Sequence, residues 1–469
     1  ISALISNALR AELTGVEDVP HVTPTELAAY DHYLIARQRI RTRVPEMIEE
    51  ALDLLDKALA IDPDYAPAVA ERALAVYLLS DSVGAYGDIP EEEAISEAQR
   101  LLARALEIDP GLAEAYAVRG LLRSNEVDSV EIARADLTKA LEINPNLESA
   151  RLWLAAVLPT MGEQTALYED IVLRDPLYGP AFNNLIQQYT AVSSFDKADA
   201  LIDRVERISG PDDSVSQARG TVAMMRGDLA NGKRALQITH DANPNSSINQ
   251  MWRGYTLLFL GELEAAAESG RAEVAILAYR ELADFEAADR IIELMDFTVG
   301  DRSRRLRHAA DHLVSQGRPG EVVALVDELY GGATNLVDTL DMEGGWGSEY
   351  LGSVAYAYML AGDIDQFNIV LNEFSHVLNF GRSDGIDNWY HWYSWAQFEA
   401  LQGNANKAIE HLQRAFDDGY VSVFYFEPVF DLLRDDERFI ELDSKIVARA
   451  NEERAKLGLD PYRPIAVTN

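Results

Sequence analysis

The chain has 469 residues, with 41 Lys and Arg against 78 Asp and Glu, a formal net charge of −37, and no cysteine. This charge repels nucleic acid and anionic lipid, and the lack of thiols excludes disulfides, thiolate nucleophiles, iron–sulfur clusters and Cys-type zinc sites. With 48% hydrophobic residues the composition is that of a folded chain, whose length alone allows about three compact domains.

In chain order, the opening Ile1-Ser2-Ala3-Leu4-Ile5 lacks both a Met and the basic segment of a secretory signal, so a piece cut from a longer protein is expected. No run reaches the 18 or so apolar residues of a membrane span. Three segments then align without gaps: Lys57 to Pro63, Arg104 to Pro110 and Lys139 to Pro145. Pro176, Pro211 and Pro244 close weaker copies, at spacings of 31 to 35 residues after a first interval of 47. That first interval carries an insertion of about 13 residues around Ser80 to Asp88, without which the period is about 34.

Ala51, Leu55 and Ala58, with Ala98, Leu102 and Ala105, and Ala133, Leu137 and Ala140, recur at offsets of 4 and 3. Such spacing keeps small residues on one helical face, where two helices approach closely. Proline then ends the second helix of each unit. Glu91 to Glu93 follow Pro90 at a predicted helix start, where negative charge suits the helix dipole.

Beyond residue 245 the closing proline disappears, but the turn inside each unit persists: Gly227-Asp228-Leu229, Gly261-Glu262-Leu263, Ala283-Asp284-Phe285, Gly317-Arg318-Pro319, Gly362-Asp363-Ile364 and Gly403-Asn404-Ala405. Glycine there serves as a left-handed cap. Loops are expected from Gly331 to Gly347 and from Asn379 to Gly385. Trp392, Ala396, Ala408, Leu412 and Ala415 restore the pattern in the last full unit.

This register resembles the tetratricopeptide repeat family, whose 34-residue unit is a helix–turn–helix. The resemblance implies an all-α fold, an α-α superhelix or solenoid of about ten or eleven units, some degenerate, each packing on its neighbours. The organisation expected is an N-terminal helix or linker over 1–27, a repeat array over 28–264, a degenerate array over 265–418, and capping helices with a tail over 419–469. A break near 265–300 could split the array into two halves.

The two ends carry a narrower likeness. Ile1 to Leu13 with Thr23 to Leu34, and the tail Asp431 to Phe439, look like the repeat regions that follow a TolB-like domain in large bacterial signalling proteins. In that group the repeats follow a winged-helix head with one membrane span, or an adenylate or guanylate cyclase domain. The likeness implies a bacterial signalling protein, with the periplasm favoured over the cytoplasm.

A search for catalytic groups returns little. His308 and His312 have metal-ligand spacing, but Ala309 stands where a metalloprotease carries Glu. Two partly exposed histidines on a solvated face with Arg304, Arg305 and Arg307 are expected instead. Gly344-Gly345-Trp346-Gly347 lacks the Lys-Ser/Thr of a phosphate loop. No metal, cofactor or catalytic set is assigned, and the chain reads as a non-enzyme.

Binding is the function the resemblance implies, with a protein or peptide partner, neutral or basic, held in a concave groove lined by the first helix of each unit. The family's groove positions select Asn183, Asn184 and Gln187, then Gln217 and Thr221, then Met251 and Tyr255. Side-chain amides there can hydrogen-bond an extended peptide. Tyr356, Met359, Tyr390 and Tyr393 offer amphipathic aromatics in the C-terminal units, while Trp392 and Trp395 are expected in the core. A regulatory region that senses a small molecule between two superhelical halves is the alternative.

Overall fold

The computed structural model describes residues 25–80, 87, 89–124, 129–244, 246–294, 302–340, 350–423 and 428–462. They are α-helical throughout, apart from turns, one 3-10 helix and an isolated parallel bridge between Ser80 and Ile89. Eleven helix pairs follow one another among the described residues. No helix among these residues is long and apolar enough to cross a membrane.

The contacts divide the chain into two compact units, Ile1–Ala181 and Phe182–Asn469. In the first unit the pairs are α1 (Leu27–Arg41) with α2 (Pro45–Ile61), α3 (Ala66–Leu78) with α4 (Glu91–Ile108), α5 (Ala113–Ser124) with α6 (Val130–Ile143), and α7 (Glu148–Ala156) with α8 (Met161–Arg174). The Ala-Leu-Ala sets on α2, α4 and α6 are all at most 1% exposed, so the repeated small residues are the seams between helices. Gly120 of α5 shows how tight a seam is: a Cβ there would lie 2.6 Å from Leu137 Cγ. Asp136 of α6, nearly buried, accepts from Arg119 Nε at 2.8 Å and Arg123 Nη1 at 2.5 Å and ties α5 to α6. Helix α4 begins at Glu91 after Pro90, and the insertion before it lies largely outside the described residues.

Helix α9 (Gly179–Ala191) opens the next pair with α10 (Phe195–Ser209). The pairs of the second unit continue as α11 (Asp213–Met225) with α12 (Leu229–Ala242), α13 (Ser247–Phe259) with α14 (Leu263–Ala267), α15 (Ala272–Glu281) with α16 (Phe285–Leu294), and α17 (Arg302–Ser315) with α18 (Pro319–Tyr330). Then come α19 (Ala333–Leu340), the pair α20 (Tyr350–Ala361) and α21 (Ile364–Ser383), the pair α22 (Trp389–Leu401) and α23 (Ala405–Asp417), a 3-10 helix (Pro428–Leu433) and α24 (Glu437–Lys456).

Within the pairs, the residue two places before the second helix is left-handed in eight turns: Gly227, Gly261, Gly317, Gly362 and Gly403, together with Arg43, Ser193 and Ala283. At Gly227-Asp228 and Gly362-Asp363 the aspartate then caps the next helix, accepting from the amides of Asn231 and Gln366.

Two expected loops are partly helical. Residues 333–340 form α19, because Ala333 and Leu336 bury a face one turn apart, and the expected loop keeps only its start and its continuation into residues outside the described set. Asn379 to Ser383 extend α21, since no residue breaks the helix before Gly385, whose φ is +92°.

The end of the second unit departs from nearest-neighbour packing. Residues 419–423 run back across the turns at Gly227 and Gly261, and Val423 N donates to Phe259 O at 3.2 Å. Helix α24 lies beside α12: Glu453 Oε2 accepts from Ala230 N at 3.0 Å and Arg234 donates to Lys456 O at 2.6 Å. A carboxylate from a distant helix thus satisfies one of the free amides at the α12 N-terminus.

Candidate functional site

In the first unit the first helices of four consecutive pairs line one narrow cleft of about 50 Å³. Helix α1 and its turn supply Arg37, Arg41 and Arg43; α3 supplies Glu71 and Leu74; α5 supplies Glu114 and Val118; α7 supplies Glu148, Ser149 and Trp153; and Tyr178 closes one end. The register is simple: Glu71, Val118 and Trp153 each stand eight residues after a repeat-closing proline, and Glu114 and Ser149 stand four after one. Offsets of four keep these residues on one helical face.

Two arginines are engaged by the wall. Arg41 Nη2 lies 3.0 Å from Asp175 Oδ2, and its guanidinium is 5.0 Å from the Tyr178 ring centroid. Arg37 stacks 5.6 Å from the Tyr33 ring. Arg43 differs, since its Nη1 is buried and has no hydrogen-bond partner. It also occupies the left-handed turn position, with φ +57°, where five other pairs use glycine. A non-glycine residue pays about 1 kcal/mol or more for that conformation, so the position is poor for stability and places a cation in the cleft.

Opposite these arginines, Glu71 is 8% exposed and makes no ion pair. Burial raises its carboxyl above the usual range, against the pull of Arg37. Burial likewise raises the Tyr178 hydroxyl. No ion pair joins Arg37 or Arg43 to Glu71, Glu114 or Glu148, so both signs of charge line the cleft without neutralising each other in direct contact. An unpaired buried donor or acceptor is costly in a low-dielectric wall and gains most from a ligand that pairs it.

The residues selected from the family's groove positions all lie in the second unit. Asn183 and Asn184 are half-buried and Gln187 is exposed on α9; Gln217 is half-buried and Thr221 is buried on α11; Met251 and Tyr255 are half-buried on α13. Tyr356 and Tyr393 are buried in the core, and the Tyr393 ring lies 4.8 Å from Tyr420 and 5.0 Å from Phe430. The returning segment therefore covers Tyr393, whereas Tyr390 stays 38% exposed. Trp392 and Trp395 are core residues.

His312 departs from the solvated face expected for it. It is fully buried, with Nε2 2.9 Å from Asp289 Oδ1 and 2.6 Å from Gln316 Nε2, and burial lowers its pKa. Glu71, Glu114 and Arg43 are the residues the sequence reading passed over, and the proline register would have located the two glutamates.

No protein-family model matches the chain, and no curated protein sequence matches it. Among solved structures it is similar to PilW, a widely conserved type IV pilus biogenesis factor, at 18% identity, covering 48% of this chain and 99% of that one with a TM-score of 0.34. It is similar to a tetratricopeptide repeat protein from Parabacteroides merdae at 17% identity, covering 55% and 91% with a TM-score of 0.35. The Cut9 and Hcn1 hetero-tetramer structure of the APC/C has 11% identity, covering 95% and 92% with a TM-score of 0.40. The present chain is an all-α array of tetratricopeptide-type helix pairs, as its own register and helix pairing show.

Proposed function

We propose that the chain is an interaction scaffold that holds an extended segment of a partner protein in the cleft of its first unit. The observation that carries this reading is Arg43, a half-buried arginine whose Nη1 is buried and unpaired, kept at a turn position where glycine is the comfortable residue. A backbone carbonyl or a carboxylate of the bound segment supplies the missing acceptor. The partner is neutral or basic overall, because the chain carries a net charge of −37, and binding weakens as salt screens that attraction. A place in a bacterial signalling protein is supported by the resemblance of the two ends to such chains.

Arg43→Gly separates binding from folding. Relief of the left-handed strain is expected to raise the stability of the first unit by about 1 kcal/mol, while peptides selected from a random displayed library against the parent chain bind the variant at least about tenfold more weakly. Chemical unfolding and fluorescence anisotropy read the two effects. Selected peptides that bind both proteins equally well would remove the cleft from consideration.

A further inference from the structure

The cleft presents both signs of charge on separate walls, and this constrains what can fill it. Arg43 brings an unpaired buried Nη1 from the α1–α2 turn, and Glu71, a residue 8% exposed and in no ion pair, brings a carboxyl on α3, with Glu114 on α5 beside the same cleft. A ligand with a single charge pairs with one wall and leaves the other without a direct partner, so it forgoes a charge-assisted hydrogen bond. A purely apolar ligand leaves both. An element that carries a carboxylate and a cation close together, and is neutral as a whole, compensates both walls.

We infer that the cleft recognises a pair of oppositely charged side chains on the bound segment, an Asp or Glu held by Arg43 and a Lys or Arg held by Glu71 and Glu114. This rests on the reading of the cleft as a peptide site and adds the identity of the recognition element. Arginine suits the carboxylate because its planar fork offers two parallel donors. Glu71, an acceptor without an ion-pair partner, gains the partner that its wall lacks. Specificity follows from partial matches, since a segment with only one of the two charges leaves one wall without its partner.

The test uses the full chain and capped decapeptides of alanine and serine carrying one Lys and one Asp, one to four residues apart, with matched peptides in which either or both are alanine. Titration calorimetry is expected to find at least one spacing at which the doubly charged peptide binds about tenfold or more tightly than either singly charged one. In Glu71→Gln, an isosteric change, the preference for lysine disappears while that for aspartate remains; in Arg43→Gly the reverse holds, and this crossed pattern is the signature of direct pairing. Circular dichroism checks that both variants fold.

Equal binding of all peptides at every spacing, or a lysine preference that survives Glu71→Gln, overturns the inference. Loss of selected-library binding in Arg43→Gly without any lysine dependence leaves the peptide reading standing and rejects the paired-charge element. Retention of that binding in Arg43→Gly rejects both.

Discussion

Replacing Gly227 by valine is expected to detach the C-terminal return from the second unit, at a cost of about 4 kcal/mol. Gly227 has φ +84°, and a Cβ there would lie 2.5 Å from Gly419 O and 2.9 Å from Val421 Cγ2. The partner side is equally confined: Gly419 has φ +114°, and its own Cβ would lie 2.8 Å from the Arg226 carbonyl. The closest contacts on both sides are backbone atoms, which cannot rotate away as a side chain can, so valine pays both left-handed strain and overpacking. Gly403→Val is the control, since Gly403 has φ +74° at the same turn position with nothing within 4 Å of the added carbon. Denaturant unfolding measures the two costs, and hydrogen exchange over 419–423 and 437–456 reports the detachment. Equal costs for the two variants would mean that the return adds no stability.

Acidification is expected to unfold the second unit through His391. This residue is 6% exposed and accepts from the Trp395 indole Nε1 at 3.0 Å. Burial pushes its pKa down to about 4, assisted by Arg382, His411 and Arg414 and opposed by Asp387. An unfolded histidine titrates near 6.5. Between these values the unfolded chain takes up a proton that the folded chain refuses. The stability is therefore complete above about pH 6.5 and is lost as the pH falls towards 4, by about 3 kcal/mol. Urea unfolding at pH 7, 5.5 and 4 reads the loss, and His391→Gln is expected to flatten it. Parallel losses in the two proteins would assign the acid sensitivity to other groups, of which His411, also lowered by burial, is the first candidate.

The helix pairs were legible because neighbouring helices impose a local rule. Ala51, Leu55 and Ala58 must be small or slim where two helices touch, and the same rule acts again at Ala98 and Ala133. The turn glycines at 227, 261, 317, 362 and 403 were legible for a similar reason, as a backbone need that one residue type meets. Arg43 hid at the same turn position, because strain at a non-glycine residue shows only in φ. The glutamates of the cleft do not stand out among the many carboxylates of an acidic chain, and only the burial of Glu71 and its lack of an ion pair set it apart. The family's groove positions point instead to amides on α9 and α11 and to aromatics on α20 and α22. Tyr393 could not be placed from periodicity, since the Tyr420 and Phe430 rings that cover it come from beyond the last repeat. Helix α19 was missed because the glycines that flank it outweighed a short amphipathic run.

The hydrogen bond from Ala230 to Glu453 spans 223 positions of the chain, and this bears on how the protein is made. Repeat arrays ordinarily mature pair by pair, each docking on the one before as it leaves the ribosome. The first unit can do so. The N-terminus of α12 and the glycine turns at 227 and 261 instead wait for partners translated on the order of tens of seconds later, at typical rates of synthesis. The second unit therefore has an obligatory late step of high contact order, closing only after its final helix emerges. Its vulnerable interval lies on the ribosome, when a half-built array already presents sites reserved for residues not yet synthesised.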